Sequence, residues 1–157
     1  MNEESAKSLQ NSLFTALNLF NNHEWYEAHD AFEEIWNVVD GDERQVIQGI
    51  LQVSVSQFHL SKGNVNGATI LLGEGLGRIK TRTKIDLGID LESFCQCLED
   101  LLRKLQYKEL LNENDKPFLK PLWWIYLYLQ LNYYYVFNFF KKVRKLIDLN
   151  ENEPKYS

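Results

Sequence analysis

Residues 24–61 read EWYEAHDAFEEIWNVVDGDERQVIQGILQVSVSQFHLS, and apolar residues recur in this segment at every third or fourth position. That spacing is typical of amphipathic α-helices, whose buried side repeats about every 3.6 residues. Asp40, Gly41 and Asp42 interrupt the pattern and form a turn whose acidic end suits the start of a following helix. The segment therefore predicts two helices, over 24–39 and 43–61, that pair as an antiparallel hairpin.

The helical pattern extends outward on both sides of this hairpin. It predicts further helices over 4–20, 65–82 and 90–107, with Gly63 ending the third helix and Asp90 capping the fifth. Alternating strands rich in Val and Thr are missing from the first hundred positions. We therefore predict an all-α fold, a compact bundle of about five helices. Its core is expected to contain Trp25, Phe32, Trp36, Ile47, Ile50, Leu51, Phe58, Leu71, Leu72 and Leu76.

The composition is that of an ordinary globular protein. The chain has 157 residues and a net charge of −5, which argues against nucleic acid as a partner because phosphate binding needs clustered cations. Cys95 and Cys97 are too few for a disulfide framework, and one intervening residue would strain a bridge between them. Residues 1–10 lack the basic start and apolar run of a secretion signal. An intracellular location is expected.

The C-terminal part differs from the rest in charge and composition. Residues 1–102 carry a net charge of −9 and residues 103–157 a net charge of +4, and the stretch from 122 to 140 contains no charged residue. We expect a helical domain over 1–110 and an aromatic, basic extension over 111–157. Three interpretations remain for 122–140: a helix packed on the domain, a partner or membrane-surface element, and a transmembrane span.

A transmembrane span is the least favoured of these, because three amides and many tyrosines leave the stretch only mildly hydrophobic. We expect residues 122–140 to be covered by the helical domain, by a second copy of the chain or by a partner protein. A homo-oligomer or a complex with a partner protein would form through residues 117–140. Tyr and Trp side chains suit such an interface since their polar ends need hydrogen bonds.

The second helix carries the candidate functional residues. His29, Glu33 and Trp36 stand at i, i+4 and i+7, which places them along one side of the helix. His29 is expected within the buried stripe and Glu33 at its edge, while Asp30 is expected to point away from it. A buried histidine must find hydrogen-bond partners.

The third helix offers such partners on a polar stripe formed by Gln48, Gln52 and His59. An antiparallel hairpin would let His29, Glu33, Gln52 and His59 converge. Such a cluster can bind a divalent cation such as zinc, nickel or iron, with His29, Glu33 and His59 as ligands and Trp36, Gln48 and Gln52 in support.

Two other uses of this cluster remain open: a general base with its orienting carboxylate, and a buried polar network without any ligand. His23, in the loop before the second helix, is expected at the surface. Gly73, Gly75 and Gly77 do not match a phosphate-binding loop, so close helix packing is the preferred interpretation.

A series of motifs follows in order along the first hundred residues. They are FNNHEWYEAHDAFEEIW at 20–36, QGILQ at 48–52, FHL at 58–60, KGN at 62–64, GA at 67–68 and GID at 88–90. This series resembles the domain of unknown function 309 family over roughly residues 14–102. The resemblance implies a helical fold and identifies His29, Glu33 and Trp36 with the family's H-x-x-x-E-x-x-(W/Y) hallmark. It also implies metal binding, which has been proposed for that family without a settled activity.

The stretch ILLGEGL at 70–76 is similar to the branch of the family found in cyanobacteria and plastids, which implies a bacterial cytoplasm or a plastid stroma. Two hypotheses for function follow. One is a metal-binding or acid–base site on His29 and Glu33, and the other is a non-catalytic helical binding or scaffold module. An accessible site at His29 favours the first and a sealed, fully paired cluster favours the second.

Overall fold

The computed structural model describes residues 3–122, with side chains from residue 7 onward. This part of the chain is all-α, as predicted. It contains five α-helices and one short 3₁₀ helix. Their bounds are α1 Glu3–Asn21, α2 Trp25–Val38, α3 Gly41–Ser61, α4 Val65–Lys80, α5 Leu91–Gln106 and the 3₁₀ helix Glu113–Asp115. None of these helices is long and apolar enough to cross a membrane. The predictions for residues 123–140 lie outside the described residues.

The ends of the helices follow from local side-chain chemistry. Asn64 accepts a hydrogen bond from the backbone N–H of Gly67 and caps α4, and Asp90 caps α5 in the same way through Ser93. Gly63 adopts a φ of +76°, the left-handed conformation expected of a glycine that ends α3. α3 begins at Gly41, two residues earlier than the pattern indicated.

Successive helices pack against one another, and α3 with α4 form the most extensive pair. The rings of Tyr26 and Phe58 meet at 6.0 Å, which brings the start of α2 to the end of α3 and confirms the antiparallel hairpin. At the other end of α3, Asp42 accepts a hydrogen bond from Arg82 just beyond α4. These contacts define an up-and-down bundle.

The core lies where α1, α2 and α5 meet the α3–α4 pair. Seven of the ten expected core residues are buried, whereas Trp36, Phe58 and Leu71 are only partly covered. On α2 the buried position belongs to Ile35, one residue before Trp36. Trp36 packs against the core and is only partly buried, so the expectation for Trp36 holds in part.

Two glycines bring α3 and α4 into close contact. A Cβ added to Gly49 would lie 2.8 Å from the carbonyl oxygen of Gly75, and a Cβ added to Gly75 would lie 2.7 Å from the carbonyl oxygen of Gly49. The close-packing interpretation is confirmed at Gly75. A Cβ added to Gly77 would meet no atom within 4 Å. A Cβ added to Gly73 would lie 3.9 Å from the Leu102 side chain, an ordinary van der Waals distance.

A short extended segment after the 3₁₀ helix closes the core. The side-chain amide of Asn21 donates to the carbonyl of Leu119 and its oxygen accepts from the N–H of Leu119, both at 2.9 Å. The N–H of Asp90 donates to the carbonyl of Lys120, and the Leu119 side chain is fully buried. The compact helical unit thus extends to Lys120. A truncation that tests the C-terminal region must begin beyond this residue.

Asp115 joins the 3₁₀ helix to α5 through an ion pair with Lys104. The Lys104 ammonium donates to its carboxylate, the backbone N–H of Asn112 donates as well, and together they hold the pKa of Asp115 below its ordinary value. A carboxyl whose pKa falls on folding stabilises the folded state above its unfolded pKa, and this contribution disappears as pH falls through the folded pKa.

We therefore expect Asp115→Asn to lower the urea midpoint at pH 7, with a gap to the parent protein that narrows as pH falls below about 4, the ordinary pKa of an aspartic acid. The midpoints at a series of pH values test this. Asp100→Asn, which removes an exposed carboxylate of α5, serves as the control for the loss of one negative charge. A gap for Asp115→Asn that stays constant down to acid pH would contradict the assignment.

Candidate functional site

One group of potential metal ligands stands on the solvent side of α2. His29, Asp30 and Glu33 each offer one nitrogen or oxygen atom, and these three atoms lie within 4.8 Å of one another. Within residues 7–122, no other group of three His, Cys, Asp or Glu residues meets this distance. The i, i+1, i+4 spacing on a helix brings the three side chains together because positions four apart are neighbours and the adjacent aspartate reaches sideways.

His29 is accessible rather than sealed. Its side chain is 31% exposed, and Nδ1 lies 3.1 Å from the Asp30 carboxylate, which is 56% exposed. The expectation that His29 belongs to the buried stripe was wrong, because Ala28 and Phe32 fill that stripe. Asp30, expected to point away, instead turns its carboxylate toward the imidazole. Sequence reasoning missed Asp30 because helical projection gives the direction of a Cβ and not the reach of the carboxylate.

His59 is not a member of this group. Its Nδ1 accepts a hydrogen bond from the side-chain amide of Asn64 at 2.9 Å, while the oxygen of the same amide caps α4. His59 therefore ties the end of α3 to the start of α4. The KGN motif between the two helices is the signal that could have pointed to this role.

Gln52 faces α4 and not α2. Its side-chain N–H donates to Glu74 at 2.8 Å, and its oxygen accepts from Arg78 Nε at 2.9 Å. Arg78 also donates to Gln45, so one guanidinium bridges two glutamines of α3. Gln48 is half-buried on the same helix. These hydrogen bonds form a polar seam, defined here as Gln45, Gln52, Glu74 and Arg78, that fixes the register of α3 against α4.

Trp36 is half-buried and covered by a cation. The guanidinium carbon of Arg44 lies 3.8 Å from the centre of the Trp36 ring, a cation–π contact between α2 and α3. The indole N–H of Trp36 is buried without a hydrogen-bond partner among the described residues. Trp36 thus shares a helix side with His29 and Glu33 and helps to anchor that helix on α3.

The remaining candidates carry no sign of catalytic chemistry. His23 is exposed, as expected, and its ring lies 5.1 Å from that of Trp25. Burial raises the pKa of the Cys95 thiol to about 11, and burial also raises that of Cys97. Both shifts disfavour the thiolate, which is the nucleophilic form of cysteine.

The His29 group fits a divalent cation by its donor chemistry. One imidazole and two carboxylates are ligands that zinc and other borderline metals accept, and solvent access would leave further coordination positions to water or substrate. Ligands at about 2.0–2.2 Å from a metal need closer spacing than 4.8 Å. Asp30 and Glu33 are both exposed, and a bound ion would draw their carboxylates closer to His29.

Comparison with known proteins gives a family match over part of the chain. No curated protein matches the sequence. The matching family model is described as "Domain of unknown function (DUF309)", and it covers residues 13–71. That stretch contains the last turns of α1, all of α2 and α3, and the start of α4, so it includes the whole His29 group. Over these residues, the chain is similar to the domain of unknown function 309 family.

Proposed function

We propose that this protein binds a divalent metal ion through His29, Asp30 and Glu33. The observation that carries the proposal is the spacing of the three ligand atoms, all within 4.8 Å on an accessible side of α2. The match to the family model covers all three residues. His29, Glu33 and Trp36 also fit the H-x-x-x-E-x-x-W pattern that the sequence resemblance implies. Glu33 and His29 are the core ligands, and Asp30 completes the set. His59 Nδ1 already accepts a hydrogen bond from Asn64, the residue that caps α4. We therefore leave His59 out of the ligand set.

The same geometry suits acid–base chemistry. A hydrogen bond from His29 Nδ1 to Asp30 would orient the ring and leave Nε2 to accept a proton. Metal binding and proton transfer thus use the same side chains.

Metal binding can be measured on untagged full-length protein. Elemental analysis of protein purified without added metal and calorimetric titration with zinc should both show one ion per chain. We expect His29→Ala and Glu33→Ala to weaken zinc binding at least tenfold, which is about 1.4 kcal/mol for each ligand removed. Saturating metal should also raise the unfolding free energy, by about 2.7 kcal/mol at 100 times Kd.

Three variants serve as matched controls. Glu34→Gln removes an exposed carboxylate next to Glu33, and His23→Asn removes an exposed histidine while keeping a residue that tolerates its φ of +65°. Gln52→Leu breaks the polar seam. All three should retain the zinc affinity of the parent protein. Absence of stoichiometric zinc, or equal binding by His29→Ala, would sink the proposal.

A non-catalytic binding or scaffold module is the second candidate, and the polar seam favours it. Gln52, one of the proposed supporting residues, is used to join two helices, so part of the polar stripe on α3 is structural. If the protein folds normally but binds no metal, the binding or scaffold function becomes the preferred one. A homo-oligomer or protein complex formed through residues 117–140 would then be its working form.

We further propose that the chain belongs to the cyanobacterial and plastid branch of the family, on the evidence of residues 70–76. The expected compartment is a bacterial cytoplasm or a plastid stroma. Cell fractionation with an antibody against the protein would test the compartment.

A further inference from the structure

A cleft of about 260 Å³ lies between the last turns of α3 and the residues around the 3₁₀ helix. Trp25, Leu60, Leu101 and Leu111 supply its apolar surface. None of its lining residues belongs to the His29 group. The cleft is therefore a separate feature of the fold.

A buried amide without a partner lines this cleft. Gln57 is only 5% exposed, and its Nε2 atom is buried with no hydrogen-bond partner among the described residues. An amide donor removed from water without a replacement is unfavourable, and native proteins leave few of them. The neighbouring polar side chains of α3 have hydrogen-bond partners, since Ser54 and Ser56 each donate to a backbone carbonyl. The Gln57 side chain thus lines an apolar cleft and carries a buried N–H group without a hydrogen-bond partner among the described residues.

The charges around the cleft are already matched. Lys116 lies 2.6 Å from the Glu113 carboxylate, and Asp115 is paired with Lys104. A charged ligand would have to compete with these ion pairs. An uncharged molecule can enter without breaking them.

We propose that this cleft binds a small uncharged organic molecule, with an apolar body of about the size of one ring and a carbonyl oxygen that accepts a hydrogen bond from Gln57 Nε2 once the side-chain amide turns toward the cleft. A single water needs only about 30 Å³, so the cleft has room for an apolar group beside the acceptor. Apolar walls with one precisely placed polar group are the usual composition of small-molecule sites. The proposal is independent of metal binding at His29.

Acetophenone and toluene are suitable probes, because both carry an aromatic ring and a methyl group but only acetophenone has a carbonyl acceptor. Each is titrated into ¹⁵N-labelled full-length protein, and the side-chain amide signals of Gln57 are followed by NMR. We expect acetophenone to shift these signals saturably and to bind about three- to tenfold more tightly than toluene, the range for one net hydrogen bond.

Gln57→Leu identifies the Gln57 signals by their disappearance and supplies the matched control. This change keeps the approximate size of the side chain and removes the donor. We expect the variant to bind both probes with equal affinity. The wild-type comparison of the two probes stands on its own if the variant folds poorly. Equal binding of both probes to the parent protein, shifts confined to other regions, or no saturable shift at Gln57 would each overturn the proposal.

Discussion

Gly49→Ala should unfold at a lower temperature than the parent protein, with a loss of about 1–3 kcal/mol in unfolding free energy, the usual cost of overpacking. The new methyl group would lie 2.8 Å from the carbonyl oxygen of Gly75 and 2.6 Å from Cγ1 of Ile79. Ile79 can rotate, but the carbonyl belongs to the backbone of α4 and moves only with that helix. α3 and α4 would therefore separate and loosen the core between them.

Gly77→Ala provides the matched control for this prediction. It makes the same chemical change on α4, but no atom lies within 4 Å of the added Cβ. Alanine favours a helix over glycine by up to about 1 kcal/mol, so this variant should be more stable than the parent. Thermal and urea unfolding followed by circular dichroism measure both effects. Shifts of the same sign in the two variants would show that the helices do not meet at Gly49 and Gly75.

Phe20→Ala should be the most damaging change, with an expected loss of about 3–5 kcal/mol. The Phe20 ring is fully buried and meets three other rings edge-on, those of Trp25 at 5.1 Å, Phe94 at 5.9 Å and Phe32 at 6.4 Å. These rings belong to α2 and α5, so Phe20 connects α1 to both helices. Its removal leaves a cavity and deletes three favourable aromatic contacts.

Urea unfolding at pH 7 measures the effect of Phe20→Ala. Leu110→Ala is the control, since the Leu110 side chain is 95% exposed and its loss should change the unfolding free energy by less than about 0.5 kcal/mol. A loss below about 1 kcal/mol for Phe20→Ala would mean that the aromatic cluster does not form the centre of the core.

The helices could be predicted because their signals are local. Apolar periodicity, the glycine at position 63 and the cap at Asp90 act within a few residues, and the structure has all of them where the sequence places them. The close approach of α3 to α4 could also be predicted, because Gly75 is one of the three alternate glycines that favour close helix packing. Which of the alternate glycines makes the contact depends on the crossing geometry, which no local pattern contains.

The candidate site was harder to predict because it depends on how far neighbouring elements cover α2. The burial of Ile35 in place of Trp36 and the exposure of His29 both follow from this packing. His59 and Gln52 have the right spacing to face α2, but competing partners on α4 and in the turn before it hold them. The sequence pattern predicts His29 and Glu33 as site residues, but it contains no information about these competing partners.

The pairing of Asn21 with Leu119 also determines when the domain can finish folding during its synthesis. The two residues are 98 positions apart, and a ribosome adds about 5–20 residues per second, so roughly 5–20 s separate their synthesis. The helices can form as they emerge, but Leu119, a fully buried member of the core cluster, arrives after all five of them. Until then, the amide of Asn21 must be satisfied by water and the place of Leu119 in the core stays unfilled. The hydrophobic core of the nascent domain can therefore be complete only after residues 119 and 120 have left the exit tunnel.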